Sequence, residues 1–206
     1  VDFKVNNLHI MSYSVPIDMY LNLDELDKHL YSIEEQPNLI PYVTSYYKNR
    51  WGFCLTHNQR SNLKKGKYHV VIKSQLNPGV LNYGEIIIPG KTSKEILLST
   101  YICHPSMANN EVSGPVVTTA LAKYISEIKD RRYSYRIIFI PETIGAIAYL
   151  KYNSEIMKKN IIAGFILTCV GDNREYSFMP SRLGNRLPDK IAEHIIKNFY
   201  QETIKY

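Results

Sequence analysis

The chain has 206 residues, 45% of them hydrophobic, the size and make-up of a globular protein of one or two domains with a buried core. Its formal charge of +6 comes from 25 basic against 19 acidic residues dispersed along the chain without a dense Lys/Arg block, so no nucleic acid is expected to bind this segment. No apolar run approaches the ~20 residues that cross a bilayer, and nothing at the start reads as a secretory leader, so no membrane partner is expected either.

Strand-like runs dominate the first part: FKVNNLHIMSYSV, RWGFCLTH, KYHVVIKS and YGEIIIPG, separated by turn chemistry at Asn77-Pro78-Gly79 and Pro89-Gly90. One helix interrupts them, LDELDKHLYSI, with Asn22 as its cap and Leu23, Leu26 and Leu30 on its apolar side. These runs predict a smaller, mostly β accessory domain over residues 1–92. From Ser93 the rhythm alternates. EILLSTYI, YRIIFIP and IIAGFILTCV are near-continuous apolar strands, and VSGPVVTTALAKYISEI, TIGAIAYLKYNSEIMKK and RLPDKIAEHIIKNFY are helical between and after them. In the first of these helices Val112, Val116, Val117, Ala120, Leu121, Ile125 and Ile128 are expected to face the core; the last carries a stripe of Leu187, Ile191, Ala192, Ile195, Ile196 and Phe199. Strands this apolar, joined by helices of this length, predict an α/β domain over residues 93–206: a mainly parallel sheet with helices on both faces. A chain that opens on Val1 and stops at Tyr206, directly behind a helical pattern, reads as a fragment of a longer protein, its second domain truncated at the C-terminus. The three cysteines, Cys54, Cys103 and Cys169, are odd in number and far apart, which predicts reduced thiols and a cytoplasmic setting.

Ligands of open α/β sheets bind outside the carboxyl ends of the strands, where loops and helix N-termini converge. After the first strand come Cys103, His104, Pro105, Asn109, Asn110 and Glu111; after the second, Pro141, Glu142 and Thr143; after the third, Gly171, Asp172 and Asn173. A histidine, a glutamate and an aspartate at three successive strand ends form a metal-ligand or acid/base set assembled by topology. Each also has a structural reading: Glu142 and Asp172 as helix or turn caps, His104 as a loop histidine, and Glu111 as the first-turn acid of the helix beginning near Val112. Cys103 and His104, neighbours on an extended segment, point to opposite faces and make a poor nucleophilic pair. The chain has no GxSxG elbow, phosphate loop, GxGxxG fingerprint, HExxH helix or CxxC pair. Among its 17 tyrosines, Tyr46, Tyr47, Tyr133 and Tyr135 read as strand packing and half-exposed edges rather than base-stacking groups. His57 reads as a turn residue and His194 as structural, and His9, His29 and His69 carry no supporting partners.

The run CHPSMANNEVSGP, followed by IPETIGAIAYL and LTCVGD, resembles the bacterial aminopeptidase-like proteins that share the fold of the two-zinc exopeptidases. SYYKNRWGFCLTHNQ resembles their companion domain, to which no function is assigned. The resemblance spans essentially the whole chain, and it implies a zinc-exopeptidase-like fold and a hydrolase acting on a small peptide or other amide. It places His104 at the first metal-binding histidine, Asn110 at the aspartate that bridges both metals, and Glu142 at the general base. Thr143 stands at a second glutamate ligand and Thr168 at a ligand aspartate, for which Asp172 lies four residues on. A neutral amide at position 110 compensates no charge between two dications, so the resemblance implies at most one zinc, in the longer parent, with His104, Asn110 and Asp172 as the metal-site positions. The alternative is a non-catalytic relative that keeps the fold as a binding or scaffold module. No oligomeric state is implied.

Overall fold

The computed structural model describes residues 9–104, 107–174 and 176–199. The chain forms two units, Val1–Gly79 and Val80–Tyr206. FKVNNLHIMSYSV lies partly outside the described residues; in its described part, Ile10 bridges Phe53 and Ser12 bridges Thr44. The first long strand instead follows Pro16: β1 (Ile17–Asn22). Asn22 then caps α1 (Leu23–Asp27) in a complete capping box, its side chain accepting from the Glu25 N–H at 2.9 Å while Glu25 returns the bond. The helix stops earlier than its leucine spacing suggests, because Leu30 turns back as β2 (Leu30–Tyr31) to pair in parallel with β3 (Phe53–Cys54). Both Leu26 and Leu30 still reach one core, with Trp51, Leu55, Val70 and Ile72. His57, expected in a turn, opens α2 (His57–Ser61) behind a second capping box built by Thr56 and Gln59. β4 (Lys67–Ile72) closes the unit antiparallel to β1, with Ile17 opposite Ile72.

The division falls at Gly79/Val80 rather than after residue 92, and hydrogen bonding explains the difference. YGEIIIPG supplies β5 (Gly84–Ile88), which pairs with the second unit's sheet and not with the first. That sheet comprises β5, β6 (Glu95–Tyr101), β7 (Ser134–Ile140) and β8 (Ile161–Ile166), ordered β5-β7-β6-β8. β7, β6 and β8 run parallel and β5 antiparallel, so the unit is mixed α/β with a mainly parallel sheet. The period of two sorts its apolar residues onto two faces. Leu98 and Ile137 meet Ala122 and Ile125 of α3 (Ser113–Glu127) on one face; Leu97, Ile138 and Ile140 meet Tyr149 and Met157 of α4 (Ile144–Asn160) on the other. Helices thus cover both faces. The buried side of α3 is not the valine-rich stripe expected from its sequence: Ser113, Gly114, Thr118, Ala122 and Ile125 are buried, whereas Val112, Val116 and Ile128 are exposed. Small residues win that face because the helix sits close to the sheet, with a Cβ at Gly114 falling within 2.6 Å of the Leu167 carbonyl oxygen. On α5 (Leu187–Phe199) the apolar stripe stays largely in solvent, with Leu187, Ile191, Ile195 and Phe199 all exposed.

The amino ends of the strands hold an ionic network around the buried Arg136 and Glu95. Arg136 donates to Glu95 through Nε at 2.6 Å and Nη2 at 3.2 Å, to the Tyr149 hydroxyl at 2.9 Å, and to Glu85. Tyr149 donates to Glu85, and Asn160 completes Glu95 at 3.1 Å. Burial opposes ionisation of Glu95, but the bonds from Arg136 and Asn160 outweigh it and hold its carboxyl below the usual range. Burial, followed by the bond to Glu85, pushes the Tyr149 phenol up to about 12.

Candidate functional site

The carboxyl ends of β6, β7 and β8 converge, as the parallel topology requires, and side chains tie them together. Tyr101 at the end of β6 meets the Thr168 hydroxyl beyond β8 at 2.5 Å. The Glu142 N–H beyond β7 donates to Cys103 Sγ at 2.9 Å. Between β6 and α3 the chain makes one π-helical turn, Ala108–Val112, a wide turn that recurs at functional sites. Its asparagines reach across to the segment after β8: Asn109 accepts the Gly171 N–H at 2.8 Å and donates to Asp172 Oδ2 at 2.8 Å, while Asn110 points its amide at Cys169 Sγ, 3.7 Å away. Ser113 accepts the Val170 N–H at 3.0 Å.

Glu111 has a larger role than the capping one expected of it. The residue is 4% exposed, and its Oε2 accepts the Cys103 N–H at 2.8 Å. Its Oε1 has no hydrogen-bond partner among the described residues and faces His104 Nε2 at 4.0 Å. A buried carboxylate oxygen left without a bond is costly, and here it lies beside the histidine. Burial pushes the Cys103 thiol up, opposed by the Glu142 N–H and reinforced by the Glu111 and Glu142 carboxylates.

Backbone strain marks the same edge. Thr143 has φ 55° and ψ −71°, and Ile144 N–H bonds back to Glu142 O at 2.6 Å, which is the rare positive-φ γ-turn. Cys169 has φ 52°. A β-branched residue held there costs about 1–3 kcal/mol, a strain that clusters where proteins position functional groups.

The residues singled out from sequence therefore reach one edge without forming one cluster. His104 stands with Glu111, and Glu142 is exposed beside Cys103. Asn110 is directed to Cys169. Asp172 is gripped by Arg174, whose side chain binds Oδ2 and whose N–H binds Oδ1 at 3.0 Å; those bonds, the side-chain one first, hold its carboxyl below the usual range. Among the described residues no group of three or more His, Cys, Asp or Glu side chains is placed to hold a metal ion. A resident zinc needs three or four protein donors with oxygen, nitrogen or sulfur lone pairs available, so the donors of the described residues, taken alone, do not fit one. Tyr101, Thr168 and Cys169 also stand at this edge; the sequence puts Cys169 within the apolar run IIAGFILTCV, whereas β8 ends at Ile166 and leaves Cys169 beyond it. All three cysteines are free, but Cys103 and Cys169 stand at strand ends, and Cys54 alone is buried.

No helix among the described residues is long and apolar enough to cross a membrane. The chain is 47% identical over 196 residues to a Clostridium acetobutylicum protein provisionally named a polysaccharide biosynthesis protein with an aminopeptidase-like domain; the match covers 95% of this chain and 45% of that protein. It also resembles the crystal structure of a provisionally assigned peptidase from Clostridium acetobutylicum, with a TM-score of 0.92 and 46% identity over 98% of this chain and 47% of the other. The chain thus spans about half the length of these relatives. Residues 4–206 match the family described as Domain of unknown function (DUF4910), and the chain belongs to that family.

Proposed function

We propose that the chain is an aminopeptidase-like module that holds a peptide or other small amide at the carboxyl edge of its sheet, with a metal site too degenerate to act by itself. The observation that carries this reading is the commitment of the expected ligands: Asp172 is clamped by Arg174 and Asn109, and Asn110 is a neutral amide turned towards Cys169. What remains is a recognition surface of exposed Glu142, the Asn110 amide and the Tyr101–Thr168 hydroxyl pair, suited to the N–H and C=O groups of an amide.

A second reading, a zinc aminopeptidase completed by the longer parent, is favoured by one observation, the buried Glu111 oxygen 4.0 Å from His104 Nε2. In that reading the missing donors lie outside this chain and Glu142 accepts the proton of the attacking water. Elemental analysis and an aminoacyl-amide assay on the parent-length protein separate the two. The module reading expects sub-stoichiometric zinc and no turnover, with peptide amides shifting the NMR signals of Cys103, Asn110 and Cys169. About one zinc per chain, with turnover abolished by Glu142→Gln, overturns it in favour of the peptidase.

A further inference from the structure

Two side chains fasten the segment after β8 to the π-helical turn. Met107 O accepts the N–H groups of both Glu111, at 3.0 Å, and Val112, at 3.2 Å, and the widened turn brings Asn109 and Ser113 to the same short stretch of chain. Ser113 Oγ donates to Asn109 O at 2.5 Å and accepts the Val170 N–H at 3.0 Å. The Asn109 amide takes the next two residues, accepting from the Gly171 N–H and donating to Asp172 Oδ2, both at 2.8 Å. Only glycine allows this approach at position 171, where a Cβ would fall 2.6 Å from Ser113 Cβ. Residues 170–172 are thus held one after another by a single turn.

Donor and acceptor chemistry makes Asn109 hard to replace. The Gly171 N–H can only donate, so it claims Asn109 Oδ1 and leaves Nδ2 for a group that accepts. Asp172 is that group, and a bond to an ionised acceptor is roughly twice as strong as one between neutral partners. Aspartate at position 109, equal in shape, would keep the bond to Gly171 but set a second carboxylate against Asp172. Leucine would keep neither bond.

The fastening reaches the residues just before it. Cys169, at φ 52°, meets the Asn110 amide at 3.7 Å, and Thr168 meets Tyr101 at 2.5 Å. Each pair joins the segment after β8 to β6 or to the turn that follows it, so each depends on where residues 170–172 are held. We propose that Asn109 and Asp172 are the positioning pair of this edge: Asp172 serves as a register pin for the segment after β8 rather than as a metal ligand, and through Asn109 it places the Tyr101–Thr168 hydroxyls relative to the Asn110 amide. What those groups bind rests on the amide-holding reading above; where they stand does not.

A polarity swap on the parent-length protein tests the pair, with NMR reading the signals of Thr168 and Cys169, hydrogen exchange at the Gly171 N–H, and the affinity for N-acetyl-alanylalanine amide. Asn109→Asp should move those signals, speed that exchange and weaken the amide about tenfold, the scale of losing one hydrogen bond to a charged group. The double variant Asn109→Asp/Asp172→Asn sets a donor opposite an acceptor again, now from position 172, and should return all three readings close to those of the parent. Thermal midpoints show whether each variant is folded; should Asn109→Asp not fold, Asn109→Ala removes both bonds without adding charge and is read in the same way. The proposal is overturned if the single variant leaves the signals and the exchange unmoved, or if the double variant recovers the thermal midpoint but not the Thr168 and Cys169 signals, the result expected of a merely structural bond. If the parent binds no amide while the signals move and recover, the positioning pair stands and the amide-holding reading falls.

Discussion

The two ends of the four-stranded sheet spend their polar groups in opposite ways. At the amino end Arg136, Glu95, Glu85, Tyr149 and Asn160 close a network in which the guanidinium and both carboxylates are bonded. At the carboxyl end Glu111 keeps a buried oxygen without a partner among the described residues, and Thr143 and Cys169 sit in left-handed backbone. One end pairs every charged group of its network, and the other leaves one buried carboxylate oxygen unpaired. That division is expected of an open α/β sheet whose ligand edge is the carboxyl one.

The sharpest way to break the comparison is Arg136→Ala. It leaves the buried Glu95 without its cation, and loss of one partner of a buried pair costs about 3–5 kcal/mol. Urea unfolding should show that loss; a change near zero would mean that the network is incidental. Its pH profile sharpens the point. Glu95 is depressed below its ordinary 4.5, so its contribution is full above that value and disappears as pH falls through the folded pKa. Tyr149 is raised from 10.0 to about 12, so its contribution is full below 10 and is lost as pH rises through 12. Thermal midpoints should therefore hold a plateau between these limits and fall on both sides; Arg136→Ala should flatten the acid flank, which Arg136 creates at Glu95, and leave the alkaline one, because burial and Glu85 raise Tyr149 while Arg136 lowers it.

A smaller effect is expected where α3 approaches the sheet. Gly114→Ala adds a Cβ against Thr100 Oγ1 and 2.6 Å from Leu167 O, the two groups that hydrogen-bond to each other at 3.0 Å. Overpacking at such a contact costs about 1–3 kcal/mol, more than alanine regains in helix propensity. Because Leu167 directly precedes Thr168, the same substitution should also shift the NMR signals of Tyr101 and Cys169. A stable variant with an unmoved edge would show that the close approach is not what sets the edge's geometry.

How far the sequence revealed these two ends depended on the kind of interaction. Apolar periodicity located β6, β7, β8 and the helices between them, because burial on both sheet faces leaves a continuous hydrophobic signal. It missed β1, whose burial is slight, and it assigned β5 to the wrong unit because a strand's partner is a long-range choice that no local pattern encodes. It also chose the valine stripe of α3, since periodicity rewards large residues while close packing rewards small ones. At the site, topology brought His104, Glu142 and Asp172 to the same edge, as strand order implies. It could not reveal that Arg174, two residues away, would occupy Asp172, or that Glu111 rather than Asn110 would stand by His104. The first is a local contact between two residues of one loop, and the second goes with the π-helical turn, whose extra residue changes which side chains face inward.

The smallest effect has the opposite sign and tests whether strain at the carboxyl edge serves its groups. Thr143→Gly removes the Cβ that makes φ 55° unfavourable, at the cost of a more flexible unfolded chain, for a net stabilisation of about 1 kcal/mol. The turn it relaxes carries Glu142, whose N–H is fixed on Cys103 Sγ at 2.9 Å. If strain there exists to aim the Glu142 carboxylate, the glycine variant should unfold later yet bind peptide amides more weakly, the trade expected where a site is held at the expense of stability. A variant that gains stability and keeps its affinity would show instead that the turn merely joins β7 to α4, and the contrast between the two ends of the sheet would then rest on Glu111 and Cys169.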